Sequence, residues 1–504
     1  MTSTYDAYIS PLSERNASPE MIRLWSPRHK FNTWRRIWLA VAQSQHAMPL
    51  KAGQAPLVTR EQVEELRAVV ERGISDAEMA AAERHERELR HDVMAHVHAL
   101  GDSCPKAKGI IHLGMTSQDV VCNADLMTIA QSMRLVRLKL VRLILALGDF
   151  AQKTKTIAAL GFTHYQPAQP TTVGRRAAGW AFDLDLCLQQ LGEDDSVTLR
   201  GLKGATGTQA SFLALLGGAG AVDALEAAFV KELGLGGAGN GGASVLMLSN
   251  QTYSRVMDTF VLSNLASCAS VLHKMATDIR LLCNRKELDE PFESKQIGSS
   301  AMPYKRNPMR CERACGLARF VMNMAGNALD TAATQWLERT LDDSSNRRLS
   351  LPESFLALDG VLDIMYNVAS GLVVHEASVR RNLMAELPFM ATENLLMECV
   401  KLGADRQEYH EIIRMHAQTA GLAVKQEGRE NDLLERLKKD AAFKSTANGG
   451  KLRAELDWSD LMNPLAYVGR SVEQTERFCA ERVGVLRERF GAALAGMTAH
   501  APRV

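Results

Sequence analysis

The stretch DLMTIAQSMRLVRLKLVRLILALGDF, residues 125–150, decides the fold. Its apolar residues fall at Leu126, Ile129, Met133, Val136, Leu140, Leu143 and Leu147, in steps that alternate three and four. Such steps lay one apolar stripe along a helix and give it the narrow width of a heptad seam. The rhythm returns at Leu262, Leu265, Ala269, Leu272, Ala276 and Ile279, and again at Leu358, Leu362, Met365, Ala369 and Leu372. A further helix is expected to start after Pro308, because proline suits a first turn, and to run through Leu317, Phe320 and Met324. Long helices with narrow seams pack as a bundle with crossings of about 20°. Strand signals are weak, and Phe, Trp and Tyr make up only 6% of the chain. The expected fold class is all-α.

Loop punctuation divides the 504 residues into three helical regions: 1–116, a central long-helix bundle over 117–374, and a polar, shorter-helical region over 375–504. A glycine-rich stretch over 233–243 interrupts the centre. No strand precedes it and no βαβ pattern surrounds it, so it reads as a flexible loop, not a dinucleotide site. Seams this long and apolar need more partners than one chain supplies, which predicts homo-oligomerisation through the central region.

Lys and Arg number 59 against 58 Asp and Glu, a net charge of +1. No global field attracts nucleic acid or an anionic membrane, so an anionic ligand must be held by a local cluster of cations. No apolar run reaches membrane-spanning length, and the N-terminal residues lack the basic and apolar segments of a signal peptide. The 9 scattered cysteines fit reduced thiols and a cytoplasmic location. Cys311 and Cys315 share a helix face but have no second pair to complete a zinc site. His91, His96 and His98 do not put three ligands on one face. Neither metal nor cofactor is expected.

The segment QIGSSAMPYKRNP, residues 296–308, carries the chemistry. It is a glycine–serine loop, then two cations and an amide, then a proline that starts a helix. Successive N–H groups in such a loop suit a carboxylate, with Lys305 adding a charge and Asn307 adding donors.

Gly298, Ser299, Ser300, Met302, Pro303, Lys305, Asn307 and Pro308 match in full the G-S-S-x-M-P-x-K-x-N-P signature of the fumarase/aspartase superfamily, which this chain resembles. LRHDVMAHVH (89–98), GIIHLGMTSQD (109–119), LGFTHYQPAQPTTVGRR (160–176), KGATGTQASF (203–212), QTYSR (251–255), TLDDSSNRR (340–348) and ELPFMATENLLM (386–397) resemble, in the same order, the branch that acts on succinylated purine nucleotides, in its animal form. Other branches share the signature but not TLDDSSNRR or RHDVMAH in this form.

The resemblance implies three helical domains, a homotetramer built on the central helices, and active sites shared between subunits. It implies elimination of fumarate from small-molecule nucleotide substrates. Such a reaction needs a base for a weakly acidic C–H, stabilisation of the carbanion, and an acid for the leaving nitrogen. His164 matches the general acid and Ser299 the general base, with Ser300 the alternative. A serine base requires its alkoxide to be stabilised, by Lys305 and loop N–H groups, in a site closed to water. His91, between Arg90 and Asp92, matches a second active-site histidine and its flanking contacts. Arg15, Arg339, Ser344 and Arg348 match nucleotide and phosphate contacts; Thr116, Ser117, Lys305 and Asn307 match succinyl carboxylate contacts; Gln251 and Arg313 match further substrate contacts. Asn16, next to Arg15, stands where the animal form has an aromatic residue. A structural protein on the same scaffold would have no need of His164, Ser299 and Lys305 together, and all three are present.

Overall fold

The computed structural model describes residues 6–48, 55–192, 196–235 and 243–497. Most of the glycine-rich stretch over 233–243 lies outside them. The chain is all-α, with 69% of residues helical and 5% in strands. Five helices form the centre: Ser117–Thr154, Val173–Leu191, Val256–Asn284, Met309–Ala333 and Asp342–Gly371. All seven residues of the first seam and all six of the second are buried. In the third, Leu358 through Ala369 are buried, while Leu372 sits just past the helix end and is half-buried. Each fully buried Leu contributes about 1.5–3 kcal/mol, so the seams supply much of what holds the bundle together.

The helix after Pro308 forms, with Pro308 as its N-cap, but it buries a different face from the one the large residues suggest. Cys311, Ala314, Cys315, Ala318 and Val321 point into the core, and Phe320 is 37% exposed. The true seam lies one residue round from Leu317 and is made of small side chains. Small residues let two helix backbones approach closely, and this helix packs against Val256–Asn284. Large apolar residues are left on the outside of the same pair, with Phe260 63% and Leu329 56% exposed.

A second core gathers residues between Trp34 and Met127 with Leu199–Leu233, and a third gathers residues between Leu395 and Leu461. The segment from Leu12 to Met21 does not follow the elements after it: Leu12, Ala17 and Met21 pack into the central core, as do Val483 and Leu486.

One antiparallel hairpin interrupts the helices. Strands Ala158–Thr163 and Gln166–Thr172 pair so that Thr163 faces Gln166, leaving His164 and Tyr165 as a two-residue turn. Both have positive φ, 52° and 56°, which is the type I′ geometry that matches strand twist. The turn is legible in the sequence; the strands are not, because Pro167 and Pro170 argue against a strand and are tolerated only on an edge. Among the described residues no single helix is long and apolar enough to cross a membrane.

Candidate active site

Asp92, Ser344 and Arg348 line one cleft of about 490 Å³, together with Lys30, Phe31, Trp34, His96, Asp125 and Arg347. The chain reaches it through Arg90, which ends the helix Asp76–Leu89 in the left-handed region (φ 54°). His91 then caps the helix Asp92–Ser103, its Nδ1 accepting the Met94 N–H at 3.4 Å. Asp92 at the first turn accepts from the Arg348 guanidinium at 3.0 Å. His96 and His98 have ring partners of their own. His96 stacks on Phe31 at 3.7 Å, and His98 stands 5.5 Å from His85. Burial, then the charges of Arg35 and Lys30, push the His96 imidazole down to about 4, so it is neutral at pH 7.

Thr116 and Ser117 open the longest helix. The Thr116 N–H donates to the Asp119 carboxylate at 2.8 Å. That carboxylate, fully buried, also accepts the N–H groups of Lys203 (2.9 Å) and Gly204 (3.1 Å) and pairs with Arg200. One side chain therefore ties Thr116 to the KGATGTQ loop.

Asp343 gathers Arg255 at 2.6 Å and Arg339 at 3.1 Å, and the Gln251 N–H donates to the Glu338 carbonyl at 3.2 Å. Arg347, which lines the cleft, shares the Tyr253 ring with Arg255, at 5.3 and 4.5 Å, and holds Asp258 at 2.7 Å and Asp125 at 3.0 Å. Arg15 lies on the single turn Leu12–Asn16, near enough to Arg313 that its charge, after burial, holds the Arg313 guanidinium below its usual range. The Asn16 side chain donates to the Pro11 carbonyl at 2.8 Å. It closes its own turn.

The signature loop folds back on itself. Asn307 Nδ2 donates to the Gly298 carbonyl at 2.8 Å, and the Met302 N–H donates to Ser299 Oγ at 3.1 Å. Gly298 is buried against the Lys305 carbonyl, whereas Ser300 through Arg306 are exposed. The first N–H groups of the helix behind the loop are already engaged. Arg310 N–H and Cys311 N–H are both taken by the Glu290 carboxylate, at 3.0 Å each. The carboxylate at this helix start is the protein's own.

Within one chain the candidate residues fall into separate groups: the hairpin tip with His164, the loop with Ser299, the Arg15–Arg313 pair, and the cleft with its Asp343 extension. No hydrogen bond or ion pair among the described residues joins the hairpin tip, the loop and the cleft.

A family described as Lyase matches residues 14–323, and one described as Adenylosuccinate lyase C-terminus matches residues 388–478. The chain is 48% identical over 482 residues to adenylosuccinate lyase of Saccharomyces cerevisiae, covering 95% of each. It is 40% identical over 478 residues to that of Schistosoma mansoni, covering 94% of each. The chain belongs to the adenylosuccinate lyase family. The solved 3-carboxy-cis,cis-muconate lactonizing enzyme of Pseudomonas putida shares the fold, with a TM-score of 0.75 at 23% identity over 95% of this chain and 98% of that one.

In this member of the adenylosuccinate lyase family, hydrogen bonds and ion pairs bring in residues that motif reading passed over. Asp119, Glu290, Arg347 and Asp343 touch or orient the candidate residues without being candidates themselves. Asp119 carries a local signal, as the third residue after a helix-capping threonine. Asp343 meets Arg339 four residues away but Arg255 88 residues away, and Glu290 and Arg347 act across 20 residues or more, contacts that no local pattern encodes.

Proposed function

We propose that this chain is an adenylosuccinate lyase, eliminating fumarate from adenylosuccinate to give AMP and from the succinylated aminoimidazole carboxamide ribotide (SAICAR) to give AICAR. The observation that carries the reading is the 48% identity to the yeast enzyme over nearly the whole of both chains, with every residue of the signature present.

In this reading Ser299 Oγ, as alkoxide, takes the proton from the carbon next to the succinyl carboxylate. The electron pair released forms the carbon–carbon double bond of fumarate as the C–N bond breaks. His164 gives its proton to the departing nitrogen. The Met302 N–H already donates to Ser299 Oγ, and fixed donors of this kind favour an oxyanion. Lys305 and Asn307, with Thr116 and Ser117, hold the succinyl carboxylates; Arg15, Arg339, Ser344 and Arg348 hold the nucleotide and its phosphate; Gln251, Arg313, Arg90, His91 and Asp92 complete the contacts. Bidentate arginines suit phosphate and carboxylate alike.

The separation of His164, Ser299 and the cleft within one chain supports a site assembled from several subunits of a homotetramer. Phe260 and Leu329, exposed on the central helices, support contact through that face. The division at residues 116 and 374 and a cytoplasmic location belong to the same reading. The test is fumarate release from both substrates by the purified chain. Release from both is expected, since one phosphate site and one succinyl site serve either; release from neither by folded tetramer would overturn the reading.

A further inference from the structure

The N-terminal segment that carries Arg15 is not held by its own domain. Leu12 and Ala17 enter the central core. The Ser18 N–H donates to the Asp359 carboxylate at 2.6 Å, in the middle of the helix Asp342–Gly371. Asp359 is fully buried and is balanced by Lys139 at 2.5 Å, which also meets Asp363 at 2.7 Å. The next residue, Gly360, is the point of closest approach: a Cβ there would stand 2.8 Å from the Asn16 carbonyl oxygen. A buried carboxylate is costly unless it is paired, and Lys139 supplies the pair. What Asp359 gains beyond that is one backbone N–H, three residues from Arg15.

We propose that Asp359 and Gly360 are positioning residues for Arg15: together they fix the height of the Leu12–Ser18 backbone over the bundle and so aim the Arg15 guanidinium at the anionic part of the substrate. Neither touches substrate. Glycine at 360 lets the segment lie flat on the helix, and Asp359 pins it there. The proposal rests on Arg15 being a phosphate contact.

The test is steady-state kinetics of adenylosuccinate cleavage by Gly360→Ala, Asp359→Asn, Arg15→Ala and the double variant Arg15→Ala/Gly360→Ala. Gly360→Ala is the principal variant, because alanine favours the helix it sits in and the fold is retained. Gly360→Ala and Asp359→Asn are expected to raise KM about tenfold, the scale of one charge-assisted hydrogen bond, with kcat changed less than about threefold. Gly360→Ala is expected to add nothing once Arg15 is gone. A merely structural role would lower Tm and the active fraction, leave KM alone, and act equally in both backgrounds; that result overturns the proposal. If Arg15→Ala raises KM and Gly360→Ala does not, the positioning role fails and Arg15 stands. If Arg15→Ala itself leaves KM unchanged, the phosphate reading of Arg15 fails and the positioning role falls with it.

Discussion

The carboxylate of Glu290 accepts the backbone N–H of Cys311 at 3.0 Å, and with it the Arg310 N–H, across a span that contains the whole signature loop. The loop over 296–308 is therefore tied at its base, whatever its tip does. Burial pushes the Glu290 carboxyl up, while the Arg310 and Cys311 N–H groups favour its ionised form. Glu290→Ala is expected to lose a helix cap, costing about 1–2 kcal/mol, and to lower kcat as the loop loses its anchor. Thermal unfolding and turnover on the same preparation check this; unchanged turnover would show that the tie has no bearing on the loop.

Gly298 closes the other side of the same loop. A Cβ there would lie 2.2 Å from the Lys305 carbonyl oxygen, which is backbone and cannot yield cheaply. Gly298→Ala is expected to break the bond between Asn307 and the Gly298 carbonyl and to reduce kcat by roughly 10²-fold, the usual scale when a reacting group is misplaced by about 1 Å. Because the loop is mostly exposed, Tm is expected to stay within a few degrees.

Arg347 and Arg348 are neighbours in opposite surroundings. Arg347 is buried between Asp125, Asp258 and the Tyr253 hydroxyl, whereas Arg348 is 61% exposed at the cleft. Arg347→Lys cannot reproduce the forked contacts and is expected to cost about 3 kcal/mol, read as a fall in Tm. Arg348→Lys is expected to keep Tm and raise KM. The reverse pattern would exchange the two roles.

That pair marks how far the sequence reaches. The seams at Leu126–Leu147 and Leu262–Ile279 are legible because helical burial repeats with a short period, and both are buried as read. His164 in a turn, and the loop before Pro308, are legible because glycine and proline punctuate the chain. The inner face of Met309–Ala333 is not, because Cys311, Ala314 and Ala318 pack by being small, while the larger Phe320 draws the eye to the outer face. Contacts such as Ser18 with Asp359, or Asp119 with Lys203, depend on how distant segments meet, and no local rule contains that.

Glu78 contributes to the acid dependence of stability. It accepts from the Ser75 N–H and hydroxyl at 2.8 and 2.7 Å and from Arg35 at 2.9 Å. Burial opposes its ionisation, yet these contacts prevail and bring its pKa down from 4.5 to about 2. A carboxyl lowered on folding stabilises the protein above its unfolded value and loses that contribution as pH falls through the folded one. Stability is thus expected to drop between pH 4.5 and about 2. Glu78→Gln is expected to be less stable by roughly 2–3 kcal/mol at pH 7 and to lack this part of the acid dependence. Parallel Tm curves against pH for the two proteins would contradict the assignment.

His164 is proposed as the acid and Ser299 as the base of a fumarate-releasing elimination. Fumarate release from adenylosuccinate, compared between wild type, His164→Ala and Ser299→Ala, tests that assignment most directly. Turnover by wild type, with losses of about 10²–10⁴-fold in each variant at unchanged Tm, is the predicted result. Turnover that survives in Ser299→Ala would move the base to Ser300 or another group, and a folded wild type that releases no fumarate would contradict the account as a whole.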